Sequence, residues 1–237
     1  MSMKHAASMP GLHALEDEDD SSTQSPGSDG QTTNHSISDI SNYEDEKDAI
    51  VEPHVGYKKV LVTGGAGFIG SHVAQFLLER GDDVVIIDEL NDYYDVTIKQ
   101  TNLDLLRKLC PDEERLRIYV GDICDEGLMN QIFADERPGW VCHMAARAGV
   151  RPSIQDPYVY IHSNIKGTTH LMELSAKYGV QNFVFASSSS VYGGSKSTYF
   201  SEEEVVDNPV SPYAASKKAC ELVRCVSCVD GHSLFLR

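Results

Sequence analysis

KKVLVTGGAGFIGSH, residues 58–72, runs a short apolar segment into a glycine turn and then opens an amphipathic stretch. Gly64, Gly67 and Gly70 are spaced G-x-x-G-x-x-G between a strand and a helix, a setting in which the spacing implies a dinucleotide site. Gly64 and Gly67 permit a tight turn with a pyrophosphate against the helix N-terminus, and Gly70 lets that helix pack near the strand. Phe68 and Ile69, within the same turn, are expected to border the cofactor. The periodicity predicts a helix over 67–80 with Ile69, Val73, Phe76 and Leu77 inward and Gly81 as its stop.

Working outward, DDVVIID (82–88), RLRIYVGD (115–122), GWVCHMAA (139–146) and NFVFASS (182–188) read as four further strands, separated by helical stretches. Such near-continuous apolar runs are covered on both faces, so the fold class is α/β: a Rossmann-type, doubly wound parallel sheet. The helix before the fifth strand carries Ile161, Ile165, Thr168, Met172 and Ala176 as an inward stripe, and Leu234–Leu236 could begin a sixth strand.

Ligands of such sheets bind at the carboxyl ends of the strands. Asp88 ends the second strand, where a carboxylate accepts from the adenosine ribose hydroxyls and repels a 2′-phosphate; no Arg or Lys follows until Lys99, which favours NAD over NADP. Asp122 and Ile123 are placed to meet the adenine, the alternative being a helix N-cap by Asp122 or Asp125. Ala145 and Ala146 leave room for the nicotinamide, and the serine run 187–190 borders the same space. In SPYAASK, Tyr213 and Lys217 stand four apart on one helical face, so the ammonium can favour the phenolate as a base, with Ser188 as the third catalytic group.

The chain of 237 residues carries a net charge of −16, unevenly spread. Residues 1–57 hold twelve acids against two lysines, −10 of that total, and their Ser-, Asp- and Gly-rich composition predicts a disordered acidic tail ahead of the domain at 58–237. This balance argues against a nucleic-acid partner. No window approaches the ~20 apolar residues of a membrane span and no secretory leader is evident, so a soluble, cytoplasmic protein is expected. Six cysteines form no framework and read as reduced thiols; the Cys225-Val-Ser-Cys228 pair with His232 offers too few ligands for a closed zinc site, and no metal is expected.

TGGAGFIG, Asp88, GDI, HMAARAGVRPS, SSSSVYG and SPYAASK occur in the order and spacing of the extended short-chain dehydrogenase/reductases, and residues 58–224 resemble the nucleotide-sugar 4-epimerases among them. The resemblance implies NAD as cofactor, a UDP-sugar as substrate, Tyr213 as base, Lys217 also holding the nicotinamide ribose, and Ser188, four positions before Tyr192, as the hydroxyl on the reacting oxygen. Related dehydratases and decarboxylases carry acids across the positions of Ser188, Ser189 and Ser190; their lack here favours epimerisation at C4. LNDYYDVTIK (90–99) resembles the UDP-glucuronate 4-epimerases in particular, with Arg151, Ser188 and Ser189 as candidate sugar contacts. Family members continue beyond this length into a substrate domain, so the chain reads as C-terminally truncated, and a catalytically silent NAD-binding module or an incomplete gene model is the alternative reading. The resemblance also allows a homodimer through the Tyr213 helix.

Overall fold

The computed structural model describes Gly56 and residues 58–227, with side chains through Val223. The expected acidic tail, the Cys225/Cys228 corner and the sixth strand therefore lie outside the described residues. Five strands, β1 (Lys59–Thr63), β2 (Asp83–Asp88), β3 (Leu116–Val120), β4 (Trp140–His143) and β5 (Asn182–Phe185), form one parallel sheet in the order β3-β2-β1-β4-β5. This is the doubly wound α/β sheet expected. β1, β3 and β4 end before their sequence runs do, and the residues that follow them, Gly64, Gly121–Ile123 and Met144–Ala146, turn away to line the site.

The period-2 geometry of strands sorts the core into two layers. Leu61, Val85 and Ile87 face α3 (Glu126–Glu136), α6 (Gly167–Tyr178) and α7 (Pro212–Ser227), packing with Met129, Phe133, Leu171 and Cys220. Their neighbours Val60, Val62, Val84 and Ile86 face the other way, against Ala74 and Leu78 of α1 (Phe68–Arg80) and Leu103 and Leu106 of α2 (Val96–Leu109). β1 and β2 are thus buried on both faces, whereas β3 is an edge strand whose Val120 is exposed. Among the described residues, every buried side-chain nitrogen and oxygen has a hydrogen-bond partner, and no helix is long and apolar enough to cross a membrane.

Two helix faces differ from expectation. α1 buries Gly70, Ser71, Ala74, Leu77 and Leu78, while Ile69 and Phe76 are 59% and 62% exposed. Small residues are what let a helix approach the sheet backbone closely, so the inward face is the one that looks less hydrophobic. In the helix before β5 the chain passes from short α4 (Val150–Gln155) and α5 (Pro157–Tyr160) through a π-helical turn, Ile161–Lys166, into α6. That wider turn advances the register and leaves Ile161 exposed; within α6 the expected Thr168 and Met172 are buried with Leu171, Leu174 and Ser175, while Ala176 is exposed.

Candidate active site

The sheet order reverses about β1, so β1 and β4 send their following loops apart and open a crevice at their carboxyl ends. A cleft of about 290 Å³ lies there, lined by Gly64, Gly67, Phe68, Ile69, Gly70, Asp88, Asp122, Ile123, Ala145 and Ala146. Ten of the residues expected at the cofactor thus come together from four loops.

The glycine turn is built by close approach. Gly64 has φ +67°, and a Cβ on it would sit 2.8 Å from the backbone N and Cα of Ala145 after β4. A Cβ on Gly70 would collide with the Gly64 carbonyl and come to 3.0 Å from Gly65 Cα. Gly67 N donates to Gly64 O at 3.0 Å, and Gly67 stands as the extended N-cap of α1 with no side chain over the helix end. The free N–H groups of the first turn therefore face open space suited to an anion.

Asp88 is buried and already organised. Its Oδ2 accepts from Ala66 N at 3.1 Å and its Oδ1 from Leu90 N at 2.9 Å, the latter held by a left-handed Leu90 at φ +50°. Lys99, the first basic residue after Asp88 in the sequence, lies beside it in space. The first turns of α2 fold back, bringing its Nζ to 3.8 Å from Asp88 Oδ1, 2.9 Å from Asn91 O and 4.8 Å from the Tyr94 ring centroid. Asp122 does not cap α3; Asp125 does, accepting from Leu128 N. Asp122 instead accepts from Cys124 N at 2.8 Å and lies 2.7 Å from His162 Nε2, and these hydrogen bonds hold its carboxyl below the usual range despite partial burial.

Sequence reasoning missed Glu89, Asn91, Tyr93, Tyr94, Lys99, Met144, Arg147 and Ser163, all in the cleft wall. Tyr93 and Tyr94 lay in plain view in LNDYYDVTIK, but nothing local shows that the loop folds over the glycine turn. Arg147 pairs with Glu89 at 3.1 Å, and its backbone is clamped to Asn164, N to Oδ1 at 2.8 Å and O to Nδ2 at 3.0 Å. Tyr93 and Tyr160 both donate to Ala148 O, which fixes the loop after β4.

The three catalytic candidates lie beside this cleft rather than in its lining. Lys217 on α7 is buried and donates to Ala186 O at 2.9 Å, with its ammonium 4.9 Å from the Phe185 ring centroid; burial holds its pKa down to about 8. Tyr213, one turn earlier, is half-buried, its ring 6.1 Å from that of Tyr160. Ser188 starts the 3-10 turn Ser189–Tyr192, against which α7 packs, and its Oγ accepts from Ser190 N at 3.1 Å. Glu221 ties α7 to the same segment by accepting from Ser187 Oγ at 2.6 Å, and pairs with Lys218 at 3.2 Å within its own helix. Ser189 is exposed at the turn, and Arg151 is exposed on α4 outside the cleft lining.

Under the site, His143 is fully buried between Thr63 Oγ1 at 2.6 Å and Thr168 Oγ1 at 2.9 Å. Thr63 Oγ1 also accepts from Ala145 N at 3.1 Å. Burial, with Lys217 adding repulsion, lowers the pKa of His143 to about 3, so the imidazole is a neutral link between β1, β4 and α6.

Residues 61–228 match the family model described as GDP-mannose 4,6 dehydratase, well over half of the chain. The chain belongs to that family. Curated proteins similar to it include UDP-glucuronate 4-epimerase of Thermodesulfobacterium geofontis, 48% identical over 163 residues, covering 69% of this chain and 49% of the relative. UDP-glucuronate 4-epimerase 4 of Arabidopsis thaliana is 45% identical over 165 residues, 68% of this chain and 36% of that one. The fold superposes on UDP-glucose 4-epimerase from Bifidobacterium longum, solved with NAD+ and UDP, with a TM-score of 0.67 at 33% identity over 76% of this chain and 52% of that one. The chain spans about half or less of the length of these curated relatives, 49% of the bacterial one and 36% of the plant one.

Proposed function

We propose that the chain carries the cofactor-binding and catalytic residues of an NAD-dependent UDP-sugar 4-epimerase, with UDP-glucuronate to UDP-galacturonate as the favoured conversion. The observation that carries the reaction type is the turn at Ser188–Ser190, which offers only hydroxyls beside the Tyr213/Lys217 helix. Eliminating water would need a carboxyl acid/base pair there; moving a hydroxyl proton needs one base. Identities of 45% and 48% to UDP-glucuronate 4-epimerases support the choice of sugar.

The site fits NAD. The Gly64–Gly70 cradle is space a Cβ would fill, and Asp88 is fixed by two backbone donors for the adenosine ribose. Bound there, NAD supplies the reversible removal of hydride from the sugar carbon that carries the reacting hydroxyl. The side chains manage the proton. Tyr213 as phenolate takes it from the C4 hydroxyl, and Ser188 Oγ hydrogen-bonds that oxygen as it becomes a carbonyl. Lys217, protonated at neutral pH with a pKa of about 8, stabilises the phenolate by its charge from the same helical face. Return of the proton from Tyr213 completes the cycle, and the face of the ketone presented decides the product.

The test is conversion of UDP-glucuronate by the purified chain, with bound NAD quantified in the same sample and Tyr213→Phe alongside. Turnover that falls at least ~100-fold in Tyr213→Phe at unchanged NAD content is the expected result. NAD retained with no turnover of either UDP-glucuronate or UDP-glucose by the unaltered chain would defeat the epimerase reading.

A further inference from the structure

At the adenine end of the cleft, three different metal-ligand types converge from two separate segments. Asp122 and Cys124 come from the loop after β3, and His162 comes from the π-helical turn. Their ligand atoms, a carboxylate oxygen, Sγ and an imidazole nitrogen, all lie within 4.8 Å of one another. The group is pre-assembled by its own bonds: Asp122 Oδ2 is 2.7 Å from His162 Nε2, Asp122 Oδ1 accepts from Cys124 N at 2.8 Å, and Cys124 Sγ donates to His162 O at 3.2 Å. Access is graded in the way an ion needs, since the His162 and Asp122 side chains are 49% and 33% exposed while Cys124 forms a buried wall.

We propose that Asp122, Cys124 and His162 form a binding site for a borderline-soft divalent ion of the zinc class, and that its occupancy opposes cofactor binding. A thiolate with an imidazole and a carboxylate suits Zn²⁺ and disfavours Mg²⁺ or Ca²⁺, and three protein ligands leave a fourth tetrahedral position for water. Zinc–ligand bonds of about 2.0–2.3 Å put tetrahedral ligands roughly 3.3–3.7 Å apart, so the Asp122–His162 pair opens slightly and Sγ closes in, within side-chain rotation. Cys124 gives its proton to solvent as the Sγ–metal bond forms. The coupling follows from Asp122, which belongs both to this group and to the wall of the cleft. A carboxylate committed to a cation is a poorer acceptor for an adenine amine. This second part rests on the NAD reading above; the metal site does not. It also departs from the sequence reading, which expected no metal and weighed only the Cys225/Cys228 pair.

The experiment uses the untagged chain in a Cys225→Ser/Cys228→Ser background, freed of metal by chelation and of NAD. Cobalt(II) alone is the first probe, because a thiolate ligand gives it a charge-transfer absorption that oxygen and nitrogen ligands do not. One equivalent of Co²⁺ should produce that band, and Zn²⁺ should displace it. Cys124→Ser should abolish the band, His162→Ala should weaken binding by more than about 100-fold, and Cys142→Ser should leave it unchanged. His162 is exposed, so its variant keeps the test valid if Cys124→Ser folds poorly. A band absent from the background protein, or one that survives in His162→Ala at full affinity, overturns the site. NAD is then titrated with and without saturating Zn²⁺: its dissociation constant should rise at least tenfold in the background protein and stay level in His162→Ala. A Zn²⁺-loaded protein whose NAD affinity does not move overturns the coupling, whereas a protein that binds Co²⁺ and no NAD refutes the cofactor reading and leaves the site standing.

Discussion

Replacing Gly64 by alanine tests whether the turn needs its glycine for backbone conformation, for close approach, or for both. The site combines φ +67° with a Cβ position only 2.8 Å from the Ala145 backbone, below the 3.0 Å that real Cβ atoms keep. Gly81, the left-handed cap of α1 at φ +100°, has nothing within 4 Å of its Cβ position, so Gly81→Ala isolates the conformational cost. Gly139 has open space and an ordinary φ, and serves as the blank. A left-handed alanine costs about 1–2 kcal/mol, and overpacking against backbone that cannot rotate away adds about 1–3. Gly64→Ala should therefore lose about 2–5 kcal/mol, Gly81→Ala about 1–2, and Gly139→Ala less than about 0.5 in either direction. Urea titration of the NAD-free chain followed by circular dichroism measures all three. NAD affinity should collapse in Gly64→Ala alone, because separating Gly64 from Ala145 spreads the two walls of the cleft. Equal losses at Gly64 and Gly81 would show that the β1 and β4 loops do not meet as described, and the account of the cradle would fail.

His143 makes stability depend on acid. Its folded pKa of about 3 lies below the unfolded value of 6.5, so between those limits the unfolded chain binds a proton that the folded chain refuses, and stability falls as pH drops through that window. Urea midpoints at pH 7.5 and 5 should show His143→Gln lacking up to about 1.4 kcal/mol per pH unit of that slope. Lys217 acts at the alkaline end: with a folded pKa near 8 against 10.5 unfolded, the unfolded chain binds more protons between them, so the NAD-free chain should gain stability from pH 8 to 10, and Lys217→Met should abolish the gain. At the ribose position, Asp88→Asn should leave Lys99 as the local charge and improve NADP binding at least tenfold, while Lys99→Met should widen the preference for NAD; fluorescence titration with both dinucleotides checks each, and unaltered selectivity in both variants would remove the pair from cofactor choice.

The residues legible in the sequence were those whose role is local. Gly64, Gly67 and Gly70 announce themselves by spacing next to a strand, and Asp88 by standing at a strand end, and all four line the cleft. What failed was reading across space. The buried face of α1 was misjudged because size was taken for inwardness, when Gly70, Ser71 and Ala74 are buried for being small. The expected stripe held at Thr168 and Met172 but lost Ile161, because no propensity reveals a π-helical turn at Ile161–Lys166. Lys99 looked remote by counting residues, since nothing in LNDYYDVTIK says that Asn91 O and Asp88 will anchor its ammonium. His143 is one apolar-strand residue among others until Thr63 and Thr168 are seen on either side of it.

The pairing of Thr63 with His143 also governs when the protein can exist during synthesis. β1 lies between β2, which follows it closely along the chain, and β4, which does not emerge until some eighty residues later. A nascent chain can zip β1 onto β2 early, but one edge of that pair, carrying the glycine turn, stays raw until Trp140–His143 leaves the ribosome. Closing so long a loop is entropically slow, and an unpaired apolar strand invites association in the meantime. The ligand cradle is thus a late product of translation: until His143 has emerged β1 has no partner on its second edge, and until Asn164 has followed the Arg147 segment has nothing to clamp it.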